Sequence, residues 1–266
     1  MRTKLNLEFL SNPMWRRVLA LISVLLFINL SDAILSDWVP TYLQEVLGGA
    51  FLMGLVFSFS SMVGFVTDLV FPQLFKGVLV KHLLRWAMGA SLLFVVSLFF
   101  AALKPLLLVL LMAMAAWGVY YEFLAFADQQ FVATVAASHD RTKVWAVVGV
   151  FKNFAYFLGP IIGGLLIARG GNTGVVLVSG VITLVSLIML NFLKLSDDKT
   201  TEVELHKVNL LAEIAHWKVL LAHVWSVVAI SLVLGLTDST FWTTGAVLSD
   251  ALAGQHVESE IGRAHV

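Results

Sequence analysis

The sequence contains no cysteine, which excludes disulfides, thiolate metal sites and thiol chemistry together and leaves the redox compartment unreadable. Charge is scarce as well. Only 13% of the 266 residues are Asp, Glu, Lys or Arg, the two signs cancel to a formal net charge of zero, and nothing points to nucleic acid as a partner. No Gly-x-x-x-x-Gly-Lys-Ser/Thr phosphate loop, His-Glu-x-x-His or Gly-x-Ser-x-Gly occurs, so ATP-driven or hydrolytic chemistry is unsupported and no cofactor or metal is expected. What the chain does hold is apolar: 59% hydrophobic residues and a mean hydropathy of +0.92, values no water-facing surface would carry.

A bilayer core of about 30 Å needs roughly 20 predominantly apolar residues per helix. Stretches of about that length run over 18–42, 50–74, 86–103, 106–127, 144–168, 175–192 and 220–248. They are continuous and rich in Leu, Ala and Phe, unlike the short alternating strands of a membrane barrel. The fold class expected is therefore an all-α polytopic membrane protein with seven spans. The basic start Met1-Arg-Thr-Lys4 lacks a following small-residue cleavage site, so the first stretch is read as a retained helix.

Lys and Arg alternate between the two sides. Arg2, Lys4, Arg16 and Arg17 precede the first span, Lys76, Lys81 and Arg85 join the second and third, Arg141 and Lys143 join the fourth and fifth, and Lys194, Lys199, Lys207 and Lys218 follow the sixth. The other side holds only Lys104 and Arg169. By the positive-inside rule this places the amino terminus and the loop after span six in the cytoplasm, with the plasma (inner) membrane the expected location. The outer connections are short, at Lys104-Pro105 and at Gly170-Gly171-Asn172.

Leu30-Ser31-Asp32 and Leu236-Thr237-Asp238 each place a carboxylate in an apolar stretch, and each Asp is followed sixteen positions later by a glycine, Gly48 or Gly254. Six spans run from the first phrase up to the second, the arithmetic of a duplicated bundle with parallel repeats about an axis along the membrane normal. The organisation expected is a six-helix bundle over 1–194, a cytoplasmic amphipathic linker over 195–219, and the first helix of a truncated second bundle over 220–256. Within the linker, Leu205, Val208, Leu211, Ile214 and Trp217 recur at steps of three, the pattern of a helix lying on the membrane surface. Residues 257–266 are read as a non-native tail, because Ile261-Gly-Arg-Ala-His-Val266 resembles the translation of a common sequencing adapter.

Three local patterns bear on family. In span five, Gly159-Pro160-Ile-Ile-Gly163-Gly164 carries a Gly-Pro-x-x-Gly-Gly core, while Ala155, Gly159 and Gly163 form a small-residue stripe that lets another helix approach closely and Pro160 loosens the hydrogen-bond ladder. Before it, Asp140-Arg141-Thr-Lys143 is an acidic-Arg-x-basic turn. After span two, Gly64-Phe-Val-Thr-Asp68 keeps the first half of Gly-x-x-x-Asp-Arg-x-Gly-Arg-Arg and lacks the second. With six inward-starting helices, a linker and a restart, the chain resembles a major facilitator superfamily transporter from about Trp15 to Gly254. Ala146 and Ala155 stand where the family's longer antiporter pattern has glycine, and the shortened Gly64–Asp68 motif departs from its usual gating loop.

Charges in a bilayer cost at least about 2.5–3.5 kcal/mol each, so embedded ones need partners or a watery cavity. The candidates are Asn29 and Asp32 in span one, Asp68 in span two, Glu122 and Asp128 in span four, Lys152 and Asn153 in span five, and Asp238 in span seven. Asp128 and Lys152, each twelve residues from the turn at Asp140, are expected at similar depth as an intramembrane charge pair. The resemblance implies that spans one and four line a central cavity, which makes Asn29, Asp32, Tyr121, Glu122 and, by the repeat, Asp238 the candidate substrate or proton pathway. Trp38, Pro40 and Tyr42 are expected in the outer interfacial belt. The function expected is secondary active transport of a small solute by alternating access, with protons a candidate coupling ion, the bilayer as surroundings, and the missing second bundle of the same protein as a required partner. A channel or scaffold, and behind it an intramembrane enzyme, are the competing classes.

Overall fold

A computed structural model describes residues 12–76, 78–193, 204–205, 218–219, 221–238 and 240. Within these the chain is built of long apolar helices: α1 (Pro13–Leu47), α2 (Ala50–Leu74), α3 (Val80–Leu103), α4 (Leu107–Val135), α5 (Arg141–Phe192) and α6 (Leu221–Asp238). All six are long and apolar enough to cross a membrane.

The helix ends follow from local chemistry. Asn12 caps α1 by accepting from the Met14 amide (2.9 Å), and Pro13 stands where a missing N–H costs nothing. Gly48 closes the helix in the left-handed conformation (φ 74°), its N–H bonding to the Gln44 carbonyl at 3.0 Å. At the end of α4 the Arg141 guanidinium donates to the carbonyls of Ala133 (3.2 Å) and Ala136 (3.4 Å), groups the helix itself cannot satisfy.

Helix α5 has 52 residues and would be about 78 Å long if straight, more than twice the bilayer core. It is broken at Gly171 (φ 58°, ψ −162°), a conformation open to glycine and costly for any other residue. Its contacts with α1 show the fold-back. Gly159 lies against Ala33 and Gly163 against Ile34; Asn172 accepts from the Trp38 indole (2.9 Å); then Ser179 and Thr183 return to Ser31 (both 2.8 Å) and Ser186 bonds to the Val24 carbonyl (2.9 Å). The first arm thus climbs along α1 and the second descends it, which resolves α5 into the two spans expected at 144–168 and 175–192.

Helix α1 is the spine, packed on both arms of α5; α3 packs on α4 and the second arm, and α2 on α4. The core residues are Val, Leu, Ile and aromatic side chains shared among α1, α3 and α4. One end collects the basic residues. Lys81 donates to the carbonyls of Asn191 (3.3 Å) and Leu193 (3.1 Å), Arg85 to the Asn191 side chain (3.0 Å), and Gln130 to the Val78 carbonyl (2.6 Å). Most of α6 is exposed, without a buried residue.

Helices α1, α3 and α4 extend past the apolar stretches from which their spans were read. Hydropathy reports the solvent around a helix, and Arg16, Arg17, Lys81 and Arg85 continue helices into the polar rim. Trp38, Pro40 and Tyr42 are buried rather than in a lipid-facing belt: Trp38 stacks on Tyr42 at 4.6 Å while its indole holds the Asn172 turn. Of the linker, Glu204–Leu205 pair antiparallel with Phe75–Lys76 and are extended, so the step-of-three helix does not hold at Leu205. Val208, Leu211, Ile214, Trp217, Gly254 and the tail 257–266 lie outside the described residues, and α6 is described to Asp238 rather than to 248.

Candidate functional site

Two close helix crossings shape the site. A Cβ on Gly118 would fall 2.1 Å from the Ser60 carbonyl, so α4 and α2 touch backbone to backbone; a Cβ on Gly159 would fall 2.4 Å from the Ala33 Cβ, so α5 and α1 do the same. Ala155 and Gly163 are buried in that second seam, whereas Gly164 meets nothing within 4 Å. Helices α4 and α5 barely meet. Between the two tight pairs lies a cavity of about 730 Å³, within the ordinary range for a small-molecule site.

The carboxylate of Asp32, 3% exposed, stands behind the cavity wall. Its Oδ1 accepts from the Trp117 indole (2.8 Å), and its Oδ2 accepts from the hydroxyls of Tyr121 (2.9 Å) and Tyr156. Those three donors come from α4 and α5 and themselves line the cavity. Hydrogen bonds to a charged group contribute about 1.5–3 kcal/mol each. Three together outweigh an insertion cost of about 2.5–3.5 kcal/mol for a carboxylate at this depth. Trp117 is held in turn by Phe94, stacked at 4.9 Å, and by the edge of Phe57 at 5.2 Å.

The other embedded polar residues divide into two groups. Asp68, Glu122, Lys152, Asn153 and Asp238 line the cavity, with Glu122 and Asp68 close enough to interact electrostatically. Asn29 and Asp128 do not line it. Asn29 is buried and donates to the Leu25 carbonyl (2.7 Å), leaving its Oδ1 without a partner; Asp128 is buried with Oδ1 unpartnered. Lys152 acts electrostatically on both Asp32 and Asp128, yet no ion pair joins it to Asp128 among the described residues. Equal depth alone does not make a contact, because α5 packs on α1 and leaves the cavity between itself and α4.

Tyr121 turns to Asp32 rather than to its neighbour Glu122, and the Tyr120 hydroxyl is buried without a partner. Outside the membrane, the Lys143 ammonium donates to Asp140 (2.8 Å) and holds its carboxyl below the usual carboxylate range, with His139 at 3.0 Å adding to the effect. The sequence reading missed Tyr156, Trp117 and Ser36. The available signal was Tyr156 one turn after Lys152 and one turn before Pro160.

Carboxylates set around a cavity inside a bundle of apolar helices mark this space as the candidate functional site. The Major Facilitator Superfamily model matches residues 127–254, just under half of the chain, from the end of α4 through α5 and beyond. Over those residues the chain is similar to the Major Facilitator Superfamily, a likeness that the six long apolar helices accord with. No curated protein matches it.

Proposed function

We propose that the chain carries the first bundle of a secondary transporter that moves a small solute by alternating access, with the cavity as its half of the solute path and Asp32 as the coupling carboxylate. The observation that supports this most is the Asp32 cluster: one buried carboxylate tied by three donors to α4 and α5, on the wall of a cavity lined by further charges. Oδ2 accepts two tyrosine hydroxyls. A proton placed on Oδ2 would occupy one of those acceptor positions and free Tyr121 or Tyr156, loosening α4 or α5 from α1. Protonation is thereby linked to helix position, which is what ion coupling requires.

The remaining assignments belong to the same proposal. Asn29, Glu122 and Asp238 extend the polar path from α1 and α4 to α6, Asp128 and Lys152 form a pair that closes only in another conformation, and Asp140, Arg141 and Lys143 anchor the cytoplasmic turn. The divisions at 194, 219 and 256, and the cytoplasmic amino terminus, complete it.

The test is flux in vesicles containing the protein extended through its second bundle. Saturation and counterflow favour a carrier, whereas unsaturated conductance favours a channel. Asp32→Asn is expected to lower flux at least tenfold with membrane insertion unchanged. Unchanged flux in Asp32→Asn would reduce the residue to a core hydrogen-bonding group, since an amide matches a neutral acid in size and in its ability to donate and accept.

A further inference from the structure

We infer that Asn29, Tyr120 and Asp128 form a water-bridged proton route behind the cavity wall, separate from the solute path, between Asp32 and the end of the bundle that holds the Asp140 turn. The inference rests on Asp32 being the coupling carboxylate. Asn29 Oδ1, the Tyr120 hydroxyl and Asp128 Oδ1 are buried and meet no hydrogen-bond partner among the described residues. Asn29 and Tyr120 are 1% exposed and Asp128 7%, and none of the three lines the cavity. In a bilayer such atoms have no bulk solvent to turn to, and water, which both donates and accepts, suits an amide oxygen, a hydroxyl and a carboxyl oxygen alike.

Their placement puts them in sequence. Tyr120 is close enough to interact electrostatically with both Asp32 and Asp128, so one unpartnered hydroxyl serves two carboxyl groups. Asn29 lies one turn from Asp32 on the same face of α1, toward the start of that helix, and Asp128 lies two turns beyond Tyr121 on the same face of α4, toward its end at Val135. Both steps lead to the end where α5 begins, since the first arm of α5 climbs parallel to α1 and the Arg141 guanidinium bonds the last turn of α4. Trp117, Tyr121, Tyr156, Tyr120 and Lys152 face Asp32; Tyr120 and Lys152 face Asp128. Lys152 acts on both carboxyls from the cavity wall, so one ammonium balances whichever of them carries the negative charge.

One transfer breaks an O–H bond at Asp128 and forms one at Asp32. Asp128 gives its proton to a water, that water gives another to the Tyr120 oxygen as Tyr120 releases its own to the next water, and the last is taken by Asp32; the tyrosine and the waters end as they began. The bond from Asn29 Nδ2 to the Leu25 carbonyl (2.7 Å) fixes the amide and leaves its Oδ1 to hold a water of this file.

The experiment follows deuterium exchange at Asp32 by infrared spectroscopy, in the full chain in lipid nanodiscs, at a pH where the carboxyl band that Asp32→Asn removes is present. Tyr120→Phe and Asp128→Asn are each expected to slow exchange at Asp32 about tenfold or more, as the loss of one relay group. Asp128→Glu is expected to keep a rate close to that of the native protein, which separates a lost relay from a disturbed fold. Ser61→Cys carrying a bulky maleimide, which fills the cavity, should leave the exchange unchanged. Unchanged exchange in Tyr120→Phe or in Asp128→Asn, or exchange slowed by the maleimide, would overturn the route while leaving Asp32 a titrating carboxyl reached from the cavity. If Asp32→Asn removes no carboxyl band at any pH, the coupling reading falls and the route falls with it.

Discussion

A carboxylate in the middle of a membrane bundle is tolerated only with its hydrogen bonds in place, so the partners of Asp32 are expected to matter unequally. Tyr156→Phe and Tyr121→Phe each remove one of two donors to Oδ2 and should cost about 1–3 kcal/mol of stability, read from thermal unfolding in detergent. Substituting both should cost more than the sum of the two, because the second change leaves Oδ2 bare; strict additivity would show that the tyrosines do not share one acceptor. Asp140 behaves differently. Its folded value is lowered by Lys143, so its contribution is present above the unfolded carboxylate value of about 3.9 and is lost as pH falls through the lower folded one. Melting curves of the native protein and Asp140→Asn should accordingly merge at low pH and separate only above it; separation that grows on acidification would contradict the assignment. At this scale the sequence is legible wherever a charge interrupts an apolar run, which is how Asp32, Glu122 and Lys152 stand out. It is silent about Trp117 and Tyr156, since aromatic residues are ordinary in membrane helices and these lie 85 and 124 positions from the carboxylate they hold.

Between helices the decisive contacts are made by glycine. Gly159→Ala places a methyl 2.4 Å from the Ala33 Cβ and forces α5 away from α1, which should lower stability by about 1–3 kcal/mol, whereas Gly164→Ala meets open space and should change little. Equal melting temperatures for the two variants would remove the α1–α5 seam from the account. Gly171→Ala should also destabilise, by about 1–3 kcal/mol, because its φ of 58° with ψ of −162° is closed to side-chain-bearing residues. The stripe of Ala155, Gly159 and Gly163 is readable from spacing alone, and so is the turn at Gly170–Asn172. Which helix receives the stripe is not, because every apolar neighbour in a bilayer is equally acceptable until backbones meet. The same reasoning explains Asp128 and Lys152: the distance of each from the turn at Asp140 fixes depth, but lateral packing decides contact.

The molecule as a whole is a set of tightly crossed helix pairs, α1 with α5 and α2 with α4, enclosing a cavity whose wall hides Asp32. Reporters fused after Lys81 and Lys143 are expected to read cytoplasmic, and those near Gly48 and Gly171 external; one reversed reporter would break the order of spans. The helical, apolar character of the chain is legible because hydropathy reports it directly, while the cavity is not, because its lining comes from five helices distant in sequence. The central claim is that water and solute reach this space inside the membrane. The absence of native cysteine makes each introduced thiol unique, so the direct measurement is labelling of single cysteines by a charged, membrane-impermeant thiol reagent in lipid nanodiscs, where both faces are accessible. Ser61→Cys and Asn153→Cys, on the cavity wall, should react rapidly, while Phe157→Cys and Val181→Cys, exposed on the outer face of α5 and absent from that wall, should stay unlabelled in lipid. Equal labelling of all four, or reaction confined to the outer pair, would contradict a solute-accessible cavity between these helices.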